Sequence, residues 1–457
     1  MSHTIDFDTS ASGFPPLRGA TSSEDVVELI LRHVDSGQLP PGSRLPTIRS
    51  ITDSSGLSFR TVSSAWRVLR DRGVIETRRR GGSFVVDPAT APGRAPAVVE
   101  SRPVLTDLSL LHADRYLLPD LRDALESALT DPALNAPTRE PITPRLLSSA
   151  QPTWPFEAES FLASGGGAEA VLLSIVANTE PGDLVALDEP TQPGLLQRLA
   201  ALGRRLIGVE LDEQGPVPGS LRIALDAGAR VYVFQVHAPF ALSGHPSSSR
   251  VDELGSLLAS ADTVIVEDDS VGPLARRDVA TFGRTLPEQV VHVRTYCRSY
   301  GPDLRTSVIG GPERLLTRIA DARSHGVAAT SRILQDALSH LIDDPNAKRK
   351  LATAAQAYSA RGESLIAALR AQGLEASRGP EGHVAWVPVA DEQRALLRLA
   401  AEGILVGAGS RAFATPAARG YLRIVTLNLS DDPEEVARIA RAIVHATTSA
   451  DPSDHYD

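Results

Sequence analysis

The sequence predicts an α/β protein with two folded parts, a small helical module and a large domain built on a mostly parallel sheet. Within residues 21–86, apolar residues at helical spacing are followed by two short alternating segments. Residues 87–103 carry four prolines and many alanines, a composition typical of an extended linker. From residue 104 onward, short β-rich runs alternate with helical patterns. We therefore expect a tail at 1–19, the first module at 20–87, the linker at 88–103, the large domain at 104–450 and a tail at 451–457.

Charge and composition limit the classes of function. The chain has 457 residues, and 46 basic against 56 acidic residues give a net charge of -10. Residues 21–86 contain ten arginines and seven acids, a local charge of +3 that leaves -13 elsewhere. This charge balance argues against a protein coated with nucleic acid along its whole length but permits a local basic module.

The single cysteine, Cys297, excludes a disulfide framework and a cysteine-built zinc site. The first residues are polar, and no apolar run approaches the roughly 18 residues that span a bilayer. The sequence therefore predicts a cytoplasmic protein with no secretory signal, no membrane segment and no metal site.

The first module contains the elements of a winged helix-turn-helix. Ser22 is predicted to cap a first helix, because acidic residues follow it and apolar residues recur at helical spacing. Pro46 begins a second helix, and Gly56 separates it from a third. The segments 74–76 and 83–86 alternate as two short strands. The order helix, helix, helix, hairpin predicts that fold.

Glycines, prolines and arginines in this module resemble those of the GntR family of bacterial regulators. The resemblance is carried by segments 37–49, 57–62, 69–75 and 81–85. It implies a DNA-binding domain whose third helix enters the major groove with its N-terminal residues against base edges.

The resemblance assigns DNA contacts to particular side chains. Ser58, Arg60 and Thr61 lie where bases are read, and Arg49 lies where a phosphate is held. The wing is expected to bring Arg79, Arg80 and Gly82 to a minor groove.

One residue departs from the family pattern. The family usually has arginine directly after the serine, where this chain has Phe59. The base-reading arginine is therefore Arg60 or is missing. The alternative interpretation of the module is a solvated, arginine-rich winged helix that binds protein.

The large domain alternates strands with amphipathic helices, which predicts a mostly parallel sheet. The expected strands are 184–187, 206–209, 231–234, 263–266 and 290–293, and the expected helices are 168–177, 194–202, 220–227 and 251–259.

Several segments of this domain resemble pyridoxal-phosphate (PLP) aminotransferases of fold type I. They are the glycine-rich 164–170, the pair 181–183 and 188–191, the acidic 266–269, and the segments 299–305 and 422–424. A GntR module linked to such a domain resembles the MocR subgroup of regulators. The resemblance implies a smaller C-terminal α/β subdomain and a homodimer that binds two-part operator DNA.

The same resemblance implies a pocket for an anionic group. Consecutive glycines at a helix N-terminus suit a phosphate, and an arginine pairs with it bidentately. In this sequence the implied phosphate residues are Ser164, Gly165, Gly166, Thr295 and Arg305. Asp268 corresponds to the partner of the pyridinium nitrogen, and Arg423 to the residue that holds a substrate carboxylate.

The Schiff-base lysine of that family is replaced here by Arg298. Arginine keeps its proton at any usable pH and offers no free amine to an aldehyde. The chain has two lysines, Lys348 and Lys350, and both lie beyond the motif. Three further family residues around the ring are replaced at Gln192, at Ser270 and within 238–244. We therefore expect no transamination, no catalytic residues and no covalently bound cofactor.

The sequence thus predicts a transcriptional regulator whose aminotransferase-like domain is inactive. Two alternatives stay open for its pocket. In one it binds a small anionic effector, including PLP held non-covalently; in the other Arg298 closes onto Asp268 and the domain serves dimerisation alone. The rival function from another class is a PLP-binding regulator or aminotransferase with a DNA-binding appendage.

Overall fold

The computed structural model describes residues 22–35, 38–40, 42–55, 57–71, 74–78, 82–86, 106–137, 140–324 and 329–448. The chain divides into two compact units, Met1–Ser101 (unit 1) and Arg102–Asp457 (unit 2). The expected linker and both expected tails lie outside the described residues.

Unit 1 is the expected winged helix-turn-helix. Its helices are α1 (Ser23–Asp35), α2 (Ile48–Ser55) and α3 (Phe59–Asp71), and its strands are β1 (Arg44–Leu45), β2 (Ile75–Arg78) and β3 (Gly82–Val85). The strands form an antiparallel sheet in the order β1-β3-β2. Fully buried Ile30, Val62 and Leu69 hold the helices together, because the apolar residues of α1 and α3 repeat at helical spacing and face each other.

Unit 2 alternates strands and helices along most of its length. Its helices are α4 (Arg122–Ala128), α5 (Pro144–Ala150), α6 (Gly167–Val176), α7 (Pro193–Ala201), α8 (Pro218–Asp226), α9 (Ser248–Leu258), α10 (Cys297–Tyr300), α11 (Glu313–Ser324), α12 (Arg332–Asp343), α13 (Pro345–Ala371), α14 (Glu392–Ala401) and α15 (Pro433–Thr448). Its strands are β4 (Thr106–Leu108), β5 (Ser160–Ser164), β6 (Leu184–Glu189), β7 (Arg205–Asp212), β8 (Gly215–Pro216), β9 (Ala229–Gln235), β10 (Val264–Asp269), β11 (Val290–Thr295), β12 (Ser307–Gly311), β13 (Val384–Val389), β14 (Ile404–Ala408) and β15 (Gly420–Val425).

The large sheet of unit 2 has the order β5-β12-β11-β10-β9-β6-β7-β8. The neighbours from β11 through β10, β9 and β6 to β7 are parallel, whereas β12 runs against both β11 and β5. The central strands are buried on both faces, as in parallel sheets covered by helices. This confirms the predicted α/β class and places the ends of β10 and β11 side by side.

A second sheet forms the smaller subdomain that the sequence predicts. Its order is β13-β15-β14-β4, and α13, α14 and α15 pack against it through buried Leu365, Leu399 and Ile443. The strand β4 joins this sheet from the N-terminal end of unit 2 by pairing in parallel with β14. Within the described ranges, we find no helix with the length and apolar character needed to cross a membrane.

Candidate functional site

The first candidate surface is the start of α3 in unit 1. Ser58 caps this helix, because its Oγ accepts a hydrogen bond from the Thr61 backbone N–H at 3.1 Å. The two hydroxyl oxygens lie 2.8 Å apart. Ser58 and Arg60 are exposed, and Thr61 is half-buried. The cap fixes the first turn from which the Arg60 side chain extends.

The other predicted DNA contacts of unit 1 lie on α2 and on the hairpin. Arg49 is exposed in the first turn of α2. Gly82 begins β3 with φ +92, a backbone conformation that favours glycine, and it pairs with Arg78 across the hairpin. Arg79 and Arg80 lie outside the described residues.

The second candidate site lies in unit 2, where three hydroxyl side chains stand next to one another on adjacent strands. Ser307 pairs with Ser164 on one side and with Thr295 on the other. Ser164 and Ser307 are fully buried, and Thr295 is 7% exposed. We call these three residues the hydroxyl row. Within the described ranges, none of their hydroxyl oxygens has a hydrogen-bond partner.

The glycine run brings the N-terminus of α6 close to the hydroxyl row. A Cβ atom at Gly167 would overlap the Thr295 hydroxyl, so only glycine permits this approach. Gly166 has φ +111, and a Cβ there would lie 3.4 Å from the Cys297 sulfur and 3.9 Å from the Arg305 backbone. The first backbone N–H groups of a helix lack partners inside the helix. Here the Gly167 N–H bonds to the Cys297 sulfur and the Glu169 N–H to the Gly166 carbonyl, so the donors without a partner next to this helix start are those of the hydroxyl row.

Arg305 follows a short turn after α10, beside this helix start. Its backbone is left-handed, with φ 36 and ψ 45, and its side chain is exposed. The structure thus brings the Arg305 backbone to Gly166 and leaves its guanidinium in solvent.

Asp268, near the end of β10, lies close to Arg298 of α10, the short helix that follows β11. Burial raises the pKa of Asp268 to about 6, and the nearby Arg298 guanidinium opposes this rise. Burial lowers the pKa of Arg298 from its usual value, against the attraction of Asp268. The Arg298 Nη1 donates a hydrogen bond to the Ser270 carbonyl at 2.8 Å. The guanidinium is therefore held by a backbone carbonyl beside Asp268.

The buried His383 lies close enough to the Arg298 guanidinium for its pKa to be affected. It is 6% exposed, and its pKa is lowered well below the usual range by burial and by the Arg298 and Arg378 guanidinium groups. Its Nδ1 has no hydrogen-bond partner among the described residues. The site thus contains a neutral imidazole, which sequence reasoning missed because no motif marks it.

Arg423 lies on β15 in the four-stranded sheet. Its Nη2 donates to the Ser109 carbonyl at 2.9 Å, and its guanidinium covers Gly407 so closely that a Cβ there would overlap it. Burial and the nearby Arg411 lower the pKa of Arg423. Its Nε has no partner within the described part of the chain. This nitrogen is a further unused donor.

A buried ionic network holds the end of β10 next to Asp268. Asp269 is 1% exposed and accepts hydrogen bonds from Arg294 Nε and from the Gly272 N–H, both at 3.0 Å. The fully buried His292 lies between two carboxylates, with Nδ1 2.7 Å from Glu267 and Nε2 3.4 Å from Asp269. These carboxylates raise the pKa of His292 against burial. The network fixes the strand end that carries Asp268.

Comparison with known proteins assigns both units to sequence families. Residues 22–85 match the bacterial regulatory proteins of the gntR family, and residues 115–443 match aminotransferase class I and II. The second match spans most of the chain.

Two transcriptional regulators align with the chain over most of its length. The chain is 26% identical over 422 residues to the vitamin B6 salvage pathway transcriptional repressor PtsJ of Salmonella typhimurium, covering 90% of this chain and 96% of PtsJ. It is 25% identical to the transcriptional regulator TauR of Rhodobacter capsulatus, covering 91% and 95%. Its fold is similar to Pyrococcus horikoshii kynurenine aminotransferase, with a TM-score of 0.68 and 18% identity over 79% of this chain and 98% of that one.

Proposed function

Because the chain belongs to the aminotransferase class I and II family and also carries a GntR domain, we propose that it is a DNA-binding transcriptional regulator of the MocR type. The observation that carries this proposal is similarity to the repressor PtsJ across both domains, over 90% of the chain. In this proposal unit 1 binds operator DNA, and unit 2 forms a homodimer that presents two such modules to a two-part operator.

Within unit 1, the start of α3 reads bases and α2 holds the backbone. Ser58, Arg60 and Thr61 face base edges in the major groove, and Arg49 holds a phosphate. The exposure of Arg49 and Arg60 supports these roles. Arg79, Arg80 and Gly82 are proposed to reach a minor groove.

Two arginine variants test this division of roles. Arg49→Ala is expected to weaken binding about equally for all duplexes and to reduce the salt dependence of binding, because a phosphate contact carries no sequence information. Arg60→Ala is expected to relax base preference, with a loss of about tenfold or more on the operator and little on random DNA. The measurement is fluorescence anisotropy on an operator selected in vitro and on a random duplex. Equal losses on both duplexes for Arg60→Ala would contradict its role.

We further propose that unit 2 does not catalyse transamination. Arg298 occupies the position of the Schiff-base lysine, and a guanidinium offers no free amine to an aldehyde. The two lysines of the chain lie near the start of α13, where Lys348 is exposed and Lys350 half-buried. The residues present therefore do not fit covalent attachment of PLP.

We propose that the site around the hydroxyl row and Arg298 in unit 2 instead binds a small anionic effector without a covalent bond. The hydroxyl row (Ser164, Ser307, Thr295) presents hydroxyl groups without partners among the described residues, and the start of α6, where phosphates commonly bind, lies beside it. Arg298 adds positive charge beside Asp268, and in this proposal the exposed Arg305 and the Arg423 side chain of β15 also turn toward the bound anion. Unpaired donors in a buried site cost free energy, which a bound anion relieves. PLP itself is one candidate for such a ligand.

Calorimetric titration with a panel of phosphorylated and dicarboxylate metabolites, PLP included, tests the effector. At least one member is expected to bind, and Arg298→Ala is expected to weaken it about tenfold or more, since a charge-assisted hydrogen bond contributes about 1.5–3 kcal/mol. Arg230→Ala is the matched control, because Arg230 pairs with the exposed Asp262 at the other end of the strands. Absence of heat from every ligand would favour the alternative, a domain that serves dimerisation alone.

A further inference from the structure

Phe59 is an apolar side chain exposed at the start of α3. Its side chain is 64% exposed. No other large hydrophobic side chain among the described residues of unit 1 is classed as exposed. The core residues of the same helix, Val62 and Trp66, are 0% and 2% exposed. The folding of unit 1 therefore does not account for a phenyl ring at this position.

The ring stands among groups that the proposed function assigns to base reading. Phe59 follows the cap residue Ser58 and precedes the exposed Arg60. The N-terminal residues of a recognition helix are those that contact base edges in the major groove. A phenyl ring has no hydrogen-bond donor or acceptor, so it gains nothing from the polar atoms of those edges.

The major-groove edges of the four base pairs carry one apolar substituent, the C5-methyl group of thymine. We propose that Phe59 packs against a thymine methyl group in each operator half-site and so specifies a T·A pair there. This inference rests on the proposed DNA-binding function. An arginine at this position would favour guanine through its N7 and O6, whereas Phe59 would leave these two acceptors without a partner.

The test removes the methyl group without changing base pairing. An operator is selected from a randomised duplex library with the full-length chain, and each thymine in turn is replaced by deoxyuridine. At one thymine per half-site, the loss of the methyl group is expected to weaken binding by the wild-type chain about fourfold, which corresponds to about 0.8 kcal/mol. With Phe59→Ala, the thymine and deoxyuridine duplexes are expected to bind equally.

Control variants separate this inference from the proposed function. Phe59→Leu keeps an apolar side chain and is expected to retain part of the preference for thymine. Unchanged binding to a random duplex shows that Phe59→Ala is folded, since the ring is exposed. The inference is overturned if no deoxyuridine substitution weakens wild-type binding, or if the methyl effect persists in Phe59→Ala, while Arg60→Ala still relaxes base preference. If the chain selects no sequence at all, the proposed function fails and the inference fails with it.

Discussion

Replacing Asp269 with alanine is expected to lower the free energy of unfolding of unit 2 by about 3–5 kcal/mol, because a buried ion pair loses one partner. Asp269 is 1% exposed and accepts from Arg294, whose side chain is 7% exposed. This carboxylate also helps to raise the pKa of His292. In this variant the Arg294 guanidinium loses the Asp269 carboxylate that it pairs with. Urea denaturation of the full chain, with the unit 2 transition assigned by hydrogen exchange in β10, measures the loss.

The matched control for Asp269 is an aspartate with a similar partner in solvent. The carboxylate of Asp262 lies 2.9 Å from Arg230, and its side chain is 94% exposed. An exposed ion pair contributes about 0–1 kcal/mol, so Asp262→Ala is expected to change the stability little. If the two variants lose the same free energy, the network does not hold the end of β10 as we describe.

Local patterns were sufficient to predict the three helices and the hairpin of unit 1, and five strands and four helices in the middle of unit 2. The helices of unit 1 follow from apolar residues at helical spacing, and the alternation of strands and helices in unit 2 predicts its mostly parallel sheet. The two-residue strand β1 was missed because it exists only through pairing of Arg44 and Leu45 with β3. Because this pairing joins segments that are far apart in the sequence, no local sequence pattern predicts it.

Strands whose polar residues have tertiary partners were harder to predict. The sequence predicted that the strand at 263–266 stops before the acids, whereas β10 extends to Asp269. Acidic residues are unfavourable in strands, but Glu267 and Asp269 gain buried partners in His292 and Arg294. The strand β12 was not predicted, because it is buried on both faces and ends in two glycines, so alternation is absent.

The family resemblance identified part of the candidate site in unit 2. The residues of the glycine run, Asp268 and Arg298 were identified from the family resemblance. Ser307 was not, because its place in the hydroxyl row depends on the register of β12 between β5 and β11. Arg305 was expected to pair with a phosphate, and its position beside Gly166 depends on a left-handed backbone that the sequence did not indicate.

A second large effect is expected in the pH dependence of stability, through Asp188 at the end of β6. This residue is 1% exposed and accepts hydrogen bonds from the Tyr232 hydroxyl at 2.6 Å and the Gln235 N–H at 2.7 Å. Burial without a cation raises its pKa from 3.8 to about 7, because these two hydrogen bonds only partly offset the loss of water. The folded state therefore binds the proton of the Asp188 carboxyl more tightly than the unfolded state does.

The stability contribution of Asp188 is fully present below about pH 4 and is lost as the pH rises to about 7. Between these two pH values the free energy of unfolding is expected to fall by about 4 kcal/mol, because each unit of difference between the folded and unfolded pKa values contributes about 1.36 kcal/mol. Asp188→Asn removes the titration, so the variant is expected to gain stability relative to wild type between pH 4.5 and 8, measured by urea denaturation at each pH. The exposed Asp262→Asn should follow wild type at every pH. A difference between Asp188→Asn and wild type that stays constant with pH would show that Asp188 is already ionised in the folded protein at pH 4.5.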